Sequence, residues 1–343
     1  MKQITLIGID LAKSIFQVCG VNRAIKPQFN RAIKRAKLLD FLCQHPNAII
    51  AMEACSGSNY WGRTLQALGF TVKLLPPQHV KPFVRGNKND RNDAFAICEA
   101  AMRPNLQTVT PRTLTQTDVM GLHKISDRQT RARTAVINQM RGLLGEYGVV
   151  VPQGKEKLQS ALPQVLEEAD NGLTASARLQ IQILWQEWQQ LNALIERIEQ
   201  ELKSFSKALQ PVQQLQAVRG VGLKIATAAV AYIGDGTAYK NGRHLSANLG
   251  LVAKEHSSGG KHRLGAISKR GNNYLRKLLI QGSWSIIRHI NISTDPLSVW
   301  AKKLMARRGK HKTAVALANK LARILWSMLY HQTQYDPKRV HCA

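Results

Sequence analysis

The stretch ITLIGIDLAKSIFQVCGV, residues 4–21, decides the reading of the first half of the chain. Residues 4–9 and 16–21 are short runs rich in Ile, Val and Phe, side chains that pack well on a pleated surface. The first run ends in Gly8-Ile9-Asp10, so a carboxylate stands where the strand stops. Outward from it, the pattern predicts a helix over 31–44, a strand over 48–52 followed by Glu53, a helix over 60–68 and a strand over 71–75. That alternation predicts an α/β layer arrangement. Pro76 and Pro77 stop the last strand, and the basic, Gly/Asn-rich residues 81–92 read as a loop over the sheet's end. A helix over 93–102 follows.

The remainder reads as all-α. Residues 114–147 suit one long helix whose exposed face would carry Lys124, Arg128, Arg131, Arg133 and Arg141. Such a stripe can follow a phosphate backbone or simply be a solvated face. A polar, Pro-containing connector over 149–173 marks the expected domain boundary. Ala177, Ile181, Leu184, Trp188, Leu191, Ile195, Ile198, Leu202, Phe205 and Leu209 then recur in steps of four and three, a heptad seam. It suits a helical hairpin on its own chain or a self-associating coiled coil, and the reading leans to the oligomer because nothing nearby offers a matching seam. The expected domains are therefore 1–150, a connector 151–175, a coiled coil 176–210 and a helical domain 211–343.

Lys and Arg total 49 against 21 Asp and Glu, a formal charge of +28 over 343 residues, and 44% of residues are apolar. The apolar fraction supports packed cores, while the charge excess self-repels unless a polyanion neutralises it, which points first to nucleic acid. Residues 240–343 alone hold 20 Lys and Arg against Glu255, Asp295 and Asp336. No window of 18 apolar residues lacks a charge, so no membrane partner is expected. Cys19, Cys43, Cys55, Cys98 and Cys342 have no close pairing, which argues against a zinc site and for reduced thiols in a cytosol.

Four carboxylates carry the first chemical signal. Asp10 and Glu53 end neighbouring strands, where α/β sheets bind ligands. Asp90 and Asp93, in Asn89-Asp90-Arg91-Asn92-Asp93-Ala94, lie three apart at a helix start and can share a face. Four converging anions repel unless a divalent cation sits among them, and hard oxygen ligands favour magnesium, with manganese possible, over zinc. Each has an ordinary reading too: Asp10 in a turn, Glu53 capping the next helix, Asp90 and Asp93 as cap and first-turn residues.

Two further motifs lie downstream. In LQAVRGVGLKIATAA, residues 215–229, the Gly220-Val221-Gly222 step between apolar runs resembles a helix-hairpin-helix, whose backbone, with Lys224 beside it, can approach a phosphate. A tight structural turn is the alternative. The segment Ser257-Ser258-Gly259-Gly260-Lys261-His262-Arg263, followed by Ser268-Lys269-Arg270-Gly271-Asn272, is a basic, glycine-rich loop able to cradle phosphates. A serine within it can act as a nucleophile if a base or metal eases loss of its proton; on chemistry alone such a serine is more often a turn residue.

Taken in order, GIDLAK, AMEACSGSNYW, NDRNDA, VRGVG and ANLGLVAKEHSSGGKHRLGAISKRGNNYLRKLL resemble the DEDD-type insertion-sequence transposases, the bridge-RNA-guided serine recombinases that include the pilin-gene invertase. The resemblance covers nearly the whole chain. It implies an N-terminal RuvC-like (RNase H-like) domain, a coiled coil and a C-terminal transposase domain. It further implies that Asp10, Glu53, Asp90 and Asp93 hold magnesium and that Ser258 is the nucleophile, with Ser257 the rival. The implied partners are donor and target DNA, a structured guide RNA and further copies of the chain, as dimers assembling to a tetramer, with acids of one subunit facing the serine of another. Lys261, Arg263, Lys269, Arg270, Arg128 and Arg131, with Gly220, Gly222 and Lys224, are the expected nucleic-acid contacts. The expected setting is the prokaryotic cytoplasm, at the nucleoid. A Holliday-junction-type endonuclease using the acids and water, or a non-catalytic packaging protein, are the alternatives: the first needs no Ser258, the second needs none of the five residues.

Overall fold

A computed structural model describes residues 4–87 and 89–338; Cys342 lies outside the described residues. The chain divides into two compact units, residues 1–117 and 118–343. The division falls earlier than the connector expected from the sequence.

The first unit is built on a five-stranded sheet of order β3-β2-β1-β4-β5. β1 (Leu6–Asp10) pairs antiparallel with β2 (Ile15–Val21), which pairs antiparallel with β3 (Pro27–Lys34). β4 (Ile49–Glu53) and β5 (Val72–Leu75) run parallel to β1. This order agrees with the RNase H-like expectation. One face packs on α1 (Leu38–Leu42) and α2 (Ser58–Ala67) through Ile7, Ile9, Phe16, Val18, Ile50 and Met52. The opposite face, with Leu6, Cys19, Val21, Ala51 and Leu75, packs on α4 (Asp90–Ala101); the short α3 (Pro77–Val80) precedes it. Strand alternation therefore sends Leu6, Gly8 and Asp10 to the α4 face, together with Ala51 and Glu53.

Two expectations about this unit need correction. The helix predicted over 31–44 is strand as far as Lys34, and only Leu38–Leu42 is α-helix after a short 3₁₀ turn. Arg, Ala and Lys favour helix intrinsically, but seven ladder pairings to β2 override a preference of a few tenths of a kcal/mol per residue. The later helix starts at Asp90 rather than near Asp93, because the Asn89 side chain accepts from Asn92 N at 2.8 Å and caps it there.

In the second unit, α5 (Leu114–Glu146) and α7 (Ala175–Ala208) form a hairpin with α6 (Lys155–Glu167) between them. Val136, Met140 and Leu144 of α5 and Leu158 and Leu162 of α6 cover Ala177, Ile181, Leu184, Trp188 and Leu191 of α7. Val119 and Met120 lie with Ile198 and Leu202, so α5 and α7 run antiparallel. Arg133 donates to Asn192 Oδ1 at 3.2 Å across them. The heptad seam is therefore buried by its own chain, and the expected self-associating coiled coil is replaced by the hairpin reading. The matching seam escapes a sequence reading because α5 is less regularly apolar. Much of the expected connector is α6.

The rest is α8 (Gln210–Gln216), α9 (Leu223–Ile233), α10 (Gly242–Asn248), the hairpin of β6 (Ala253–Glu255) and β7 (Leu264–Ile267), then α11 (Asn273–Arg288), α12 (Pro296–Arg308) and α13 (Lys310–His331). α13 is the centre of this core: Leu317, Leu321 and Leu325 are fully buried among residues of α8 to α12. No helix among the described residues is long and apolar enough to cross a membrane.

Candidate functional site

Asp10 and Glu53 close the adjacent parallel strands β1 and β4, one step beyond the Ile9–Met52 pairing. Both are half-buried. The Cys55 thiol is pushed up by burial and by the charges of Glu53 and Asp10, so the two carboxylates act on one small volume. Glu53 does not cap the next helix, whose N-cap is Gly57 without a side-chain bond. Asn89 fills the cap of α4, leaving Asp90 and Asp93 as first-turn carboxylates at the positive end of the helix dipole.

A glycine and a relay of amides seat α4 on the sheet. A Cβ on Gly8 would stand 2.6 Å from Cys98 Sγ and 2.7 Å from Ala94 O, so only glycine lets α4 lie directly on β1. Gln17, the ladder partner of Asp10, donates to Asn30 Oδ1 at 2.6 Å, and Asn30 Nδ2 donates to Arg91 O at 2.9 Å. Arg85 reaches Glu99 of the same helix at 3.4 Å. Sequence reasoning missed Gly8, Gln17 and Asn30; a polar pair facing across two strands beside a catalytic candidate is the signal that points to them. Among the described residues no three His, Cys, Asp or Glu side chains form a ready cation cage. The structure brings Asp10 and Glu53 together and does not gather Asp90 and Asp93 with them into one cluster; carboxylate oxygens are the donor type that suits a hard divalent cation.

The α8–α9 turn has Gly220 at φ +79°, and a Cβ there would press 2.8 Å from Ile286 and 2.9 Å from Gly282 O. Close packing on α11 therefore accounts for Gly220. Gly222, the N-cap of α9, has open space where a Cβ would be. The turn borders an open depression of about 690 Å³ lined by Arg219, Gly222, Lys224, Gln281 and Ser285. Both cations there are paired, Lys224 with Glu199 at 2.6 Å and Arg219 with Asp295 at 3.3 Å. An incoming phosphate would compete with these acids.

Behind the turn lies a buried polar junction of α5, α9 and α11. Thr227 Oγ donates to Leu223 O at 2.7 Å, so it accepts from His123 Nε2 at 3.0 Å, leaving Nδ1 to accept from the Tyr274 hydroxyl at 3.0 Å. Burial, aided by the Lys224 charge, lowers the His123 pKa to about 4, and burial with Asp127 raises Tyr274 to about 12. Asp127 bonds Lys277 and Arg131.

Ser257 and Ser258 occupy the tip of the β6–β7 hairpin, exposed along its length. Ser257 Oγ donates to Glu255 Oε1 at 2.6 Å and accepts from Arg263 N at 3.2 Å, while His262 Nδ1 lies 3.2 Å from the same Glu255 oxygen. These bonds hold the Glu255 carboxyl below its ordinary pKa. Ser257 thus fastens the hairpin. Ser258 begins the turn, its carbonyl accepting from Lys261 N at 3.0 Å, with Gly259 and Gly260 following at φ +56° and +75°. Lys261, Arg263, Lys269 and Arg270 are all exposed on this arm or its base.

The stripe expected on α5 is reduced. Lys124 and Arg128 are exposed, but Arg131 pairs with Asp127 at 3.2 Å, and Arg141 donates to the carbonyls of Val151, Pro152 and Gly154. Arg133 and Arg141 are therefore structural. Cys19 and Cys98 are buried packing residues, while Cys43 is exposed.

Two family models match the chain: one described as "Transposase" over residues 7–149, and one described as "Transposase IS116/IS110/IS902 family" over residues 212–296. The sheet with its acid-bearing end falls in the first block, and the glycine turn and serine hairpin fall in the second. The chain is 43% identical over 335 residues to the transposase for insertion sequence element IS1111A of Coxiella burnetii, covering 98% of this chain and 92% of that protein. It is also 43% identical to a probable family 20 transposase of Pseudomonas aeruginosa, covering 97% and 99%. The pilin gene-inverting protein of Moraxella lacunata is 21% identical, covering 98% and 99%. Matched domains of this kind define a DNA-processing enzyme, a transposase of DEDD type. The chain belongs to the IS116/IS110/IS902 family of transposases.

Proposed function

We propose that this transposase moves its element by serine-mediated strand exchange under RNA guidance. The observation that carries the reading is the pairing of motifs: carboxylates gathered on one sheet edge and one helix start, and an exposed serine at the tip of a basic hairpin. Asp10, Glu53, Asp90 and Asp93 would hold magnesium, or manganese. When bound, the cation would polarise the scissile phosphate and ease loss of the serine proton. Ser258 Oγ attacks phosphorus, the phosphodiester bond to one deoxyribose oxygen breaks, and that oxygen leaves with a proton. The phosphoserine ester keeps the energy of the broken bond, so the hydroxyl of a new strand can displace Ser258 without a nucleotide cofactor. Water attack would discard it. Ser257, engaged by Glu255 and Arg263, fastens the arm rather than reacting.

Lys261, Arg263, Lys269, Arg270, Arg128 and the Gly222 turn contact phosphates of the guide RNA and the two duplexes, which matches a +28 chain. Arg131 and Lys224 join them by exchanging their acid partners for phosphate. Copies of the chain assemble so that acids and serine of different subunits act on one phosphodiester, at the nucleoid. The test is to trap the reaction with labelled element-end duplex under denaturing conditions and map the linked residue by mass spectrometry. The expected adduct is on Ser258, lost in Ser258→Ala and retained in Ser257→Ala. An active wild type without adduct means that the acids use water instead.

A further inference from the structure

The serine arm is exposed from Ala253 to Ala266, yet its root is among the tightest pieces of backbone in the second unit. The first foot leaves α10 through Gly250 at φ +70°, where a Cβ would stand 2.4 Å from Arg270 O. The second foot passes through Lys269 at φ +54° and Gly271 at φ +73°, where a Cβ would fall 1.7 Å from Asn248 O. Lys269 N donates to Gly250 O at 3.1 Å and Ser268 N to Val252 O at 2.8 Å, so the feet lie side by side. A non-glycine residue held at positive φ persists only where its surroundings impose it.

The side chain that spans the two feet is Arg276 of α11. It is 6% exposed. Its Nη1 donates to Leu249 O at 2.7 Å on the first foot and to Arg270 O at 2.9 Å on the second, and Nη2 donates to Asn273 Oδ1 at 2.8 Å. Leu249 O is at the C-terminal end of α10, the negative end of that helix dipole, so carbonyls compensate the buried guanidinium. Nη1 alone bridges the two carbonyls while Nη2 is held by Asn273, and an ammonium has no second arm by which it could be oriented in this way.

We infer that Arg276 is a positioning residue, clamping the two feet of the β6–β7 hairpin so that its tip serine is presented from a fixed root. The assignment rests on the reading of Ser258 as the nucleophile. Only the root is clamped; the arm beyond it adapts to the phosphodiester it meets. Because misplacing a reacting atom by about 1 Å costs roughly 100-fold in rate, loosening the feet acts on the chemical step, while phosphate binding along the arm governs affinity.

The test uses full-length protein, labelled element-end duplex and the structured RNA encoded by the element. Arg276→Lys is expected to lower the rate of adduct formation at saturating duplex roughly 100-fold, with duplex affinity and far-ultraviolet circular dichroism unchanged. Hydrogen exchange at the Ser268 and Lys269 amides is expected to quicken. Wild-type protein supplies a check that needs no variant: these two amides should exchange far more slowly than those of Gly259 and Gly260. Equal exchange at root and tip, or a folded Arg276→Lys with the wild-type rate, overturns the clamp. Adduct persisting in Ser258→Ala overturns the nucleophile instead, and Ser258→Ala without adduct beside an unimpaired Arg276→Lys removes only the clamp.

Discussion

The acid end of the sheet and the serine arm are positioned by opposite means. Asp10 and Glu53 inherit their places from strands whose other residues are almost wholly buried, and α4 is seated on them by the absence of a side chain at Gly8. Ser258 stands on an arm with little buried surface, fixed by hydrogen bonds at its base. Packing holds groups to fractions of an ångström but permits no adjustment. A hydrogen-bonded root leaves the tip free to follow a partner. On the proposed roles, carboxylates that would hold a cation and a serine that would attack have different tolerances, and the contrast teaches that the fold supplies each from a suitable scaffold.

The largest expected effect breaks the acid end while leaving its scaffold intact. Asp10→Asn is isosteric, so the fold and most nucleic-acid binding should persist while strand exchange falls by about 10³-fold or more. Recombination assayed beside a melting curve separates the two, and normal recombination removes the metal-site reading.

A second experiment addresses the buried junction behind the α8–α9 turn. His123 is buried neutral, its pKa lowered to about 4 chiefly by burial, against about 6.5 in the unfolded chain. The unfolded state therefore binds the proton more readily. Its contribution to stability is fully present above pH 6.5 and is lost as pH falls toward 4, on the order of 3 kcal/mol in all. Thermal melts from pH 7 to pH 4 should show this slope in the second unit, and His123→Gln should flatten it. Parallel curves for the two proteins would show that the junction does not feel the proton.

Glycines sharpen the comparison on a smaller scale. Gly8→Ala forces a methyl group against Cys98 and Ala94 and should cost about 1–3 kcal/mol as an overpacked core. Gly259→Ala meets nothing within 4 Å, so it should cost only about 1 kcal/mol for a left-handed backbone. Denaturant unfolding of the two variants gives the ranking, and equal losses would mean that the arm is packed as tightly as the sheet.

The smallest effect concerns charge at the arm's base. Replacing Lys269 and Arg270 by Ala should weaken binding to labelled duplex and reduce the slope of log affinity against log salt by about one for each phosphate that is no longer neutralised. A salt-independent wild-type affinity would sink the electrostatic account.

By itself the sequence determined the strand ends that carry Asp10 and Glu53, the α/β character of the first unit though not its third strand, the helical second unit and the separate serine loop, because apolar periodicity and chain punctuation are local signals. It also placed an apolar seam on residues 177–209, since that repeat needs no partner to be visible. Only the tertiary structure decided that α5 and α6 cover the seam, because a seam states that a face is buried and not by what. Only the fold turned residues 31–34 into a strand, where ladder pairing outweighs helix propensity. The cations divide in the same way: Lys224, Arg131 and Arg141 looked alike in a basic sequence, yet Glu199, Asp127 and three backbone carbonyls engage them. Arg276 reads as one more basic residue until the chain returns Leu249 and Arg270 to the same guanidinium. The physical reason is common to all: the burial of a charge or an apolar face is a property of the pair that forms it, and distant segments meet only in the folded chain.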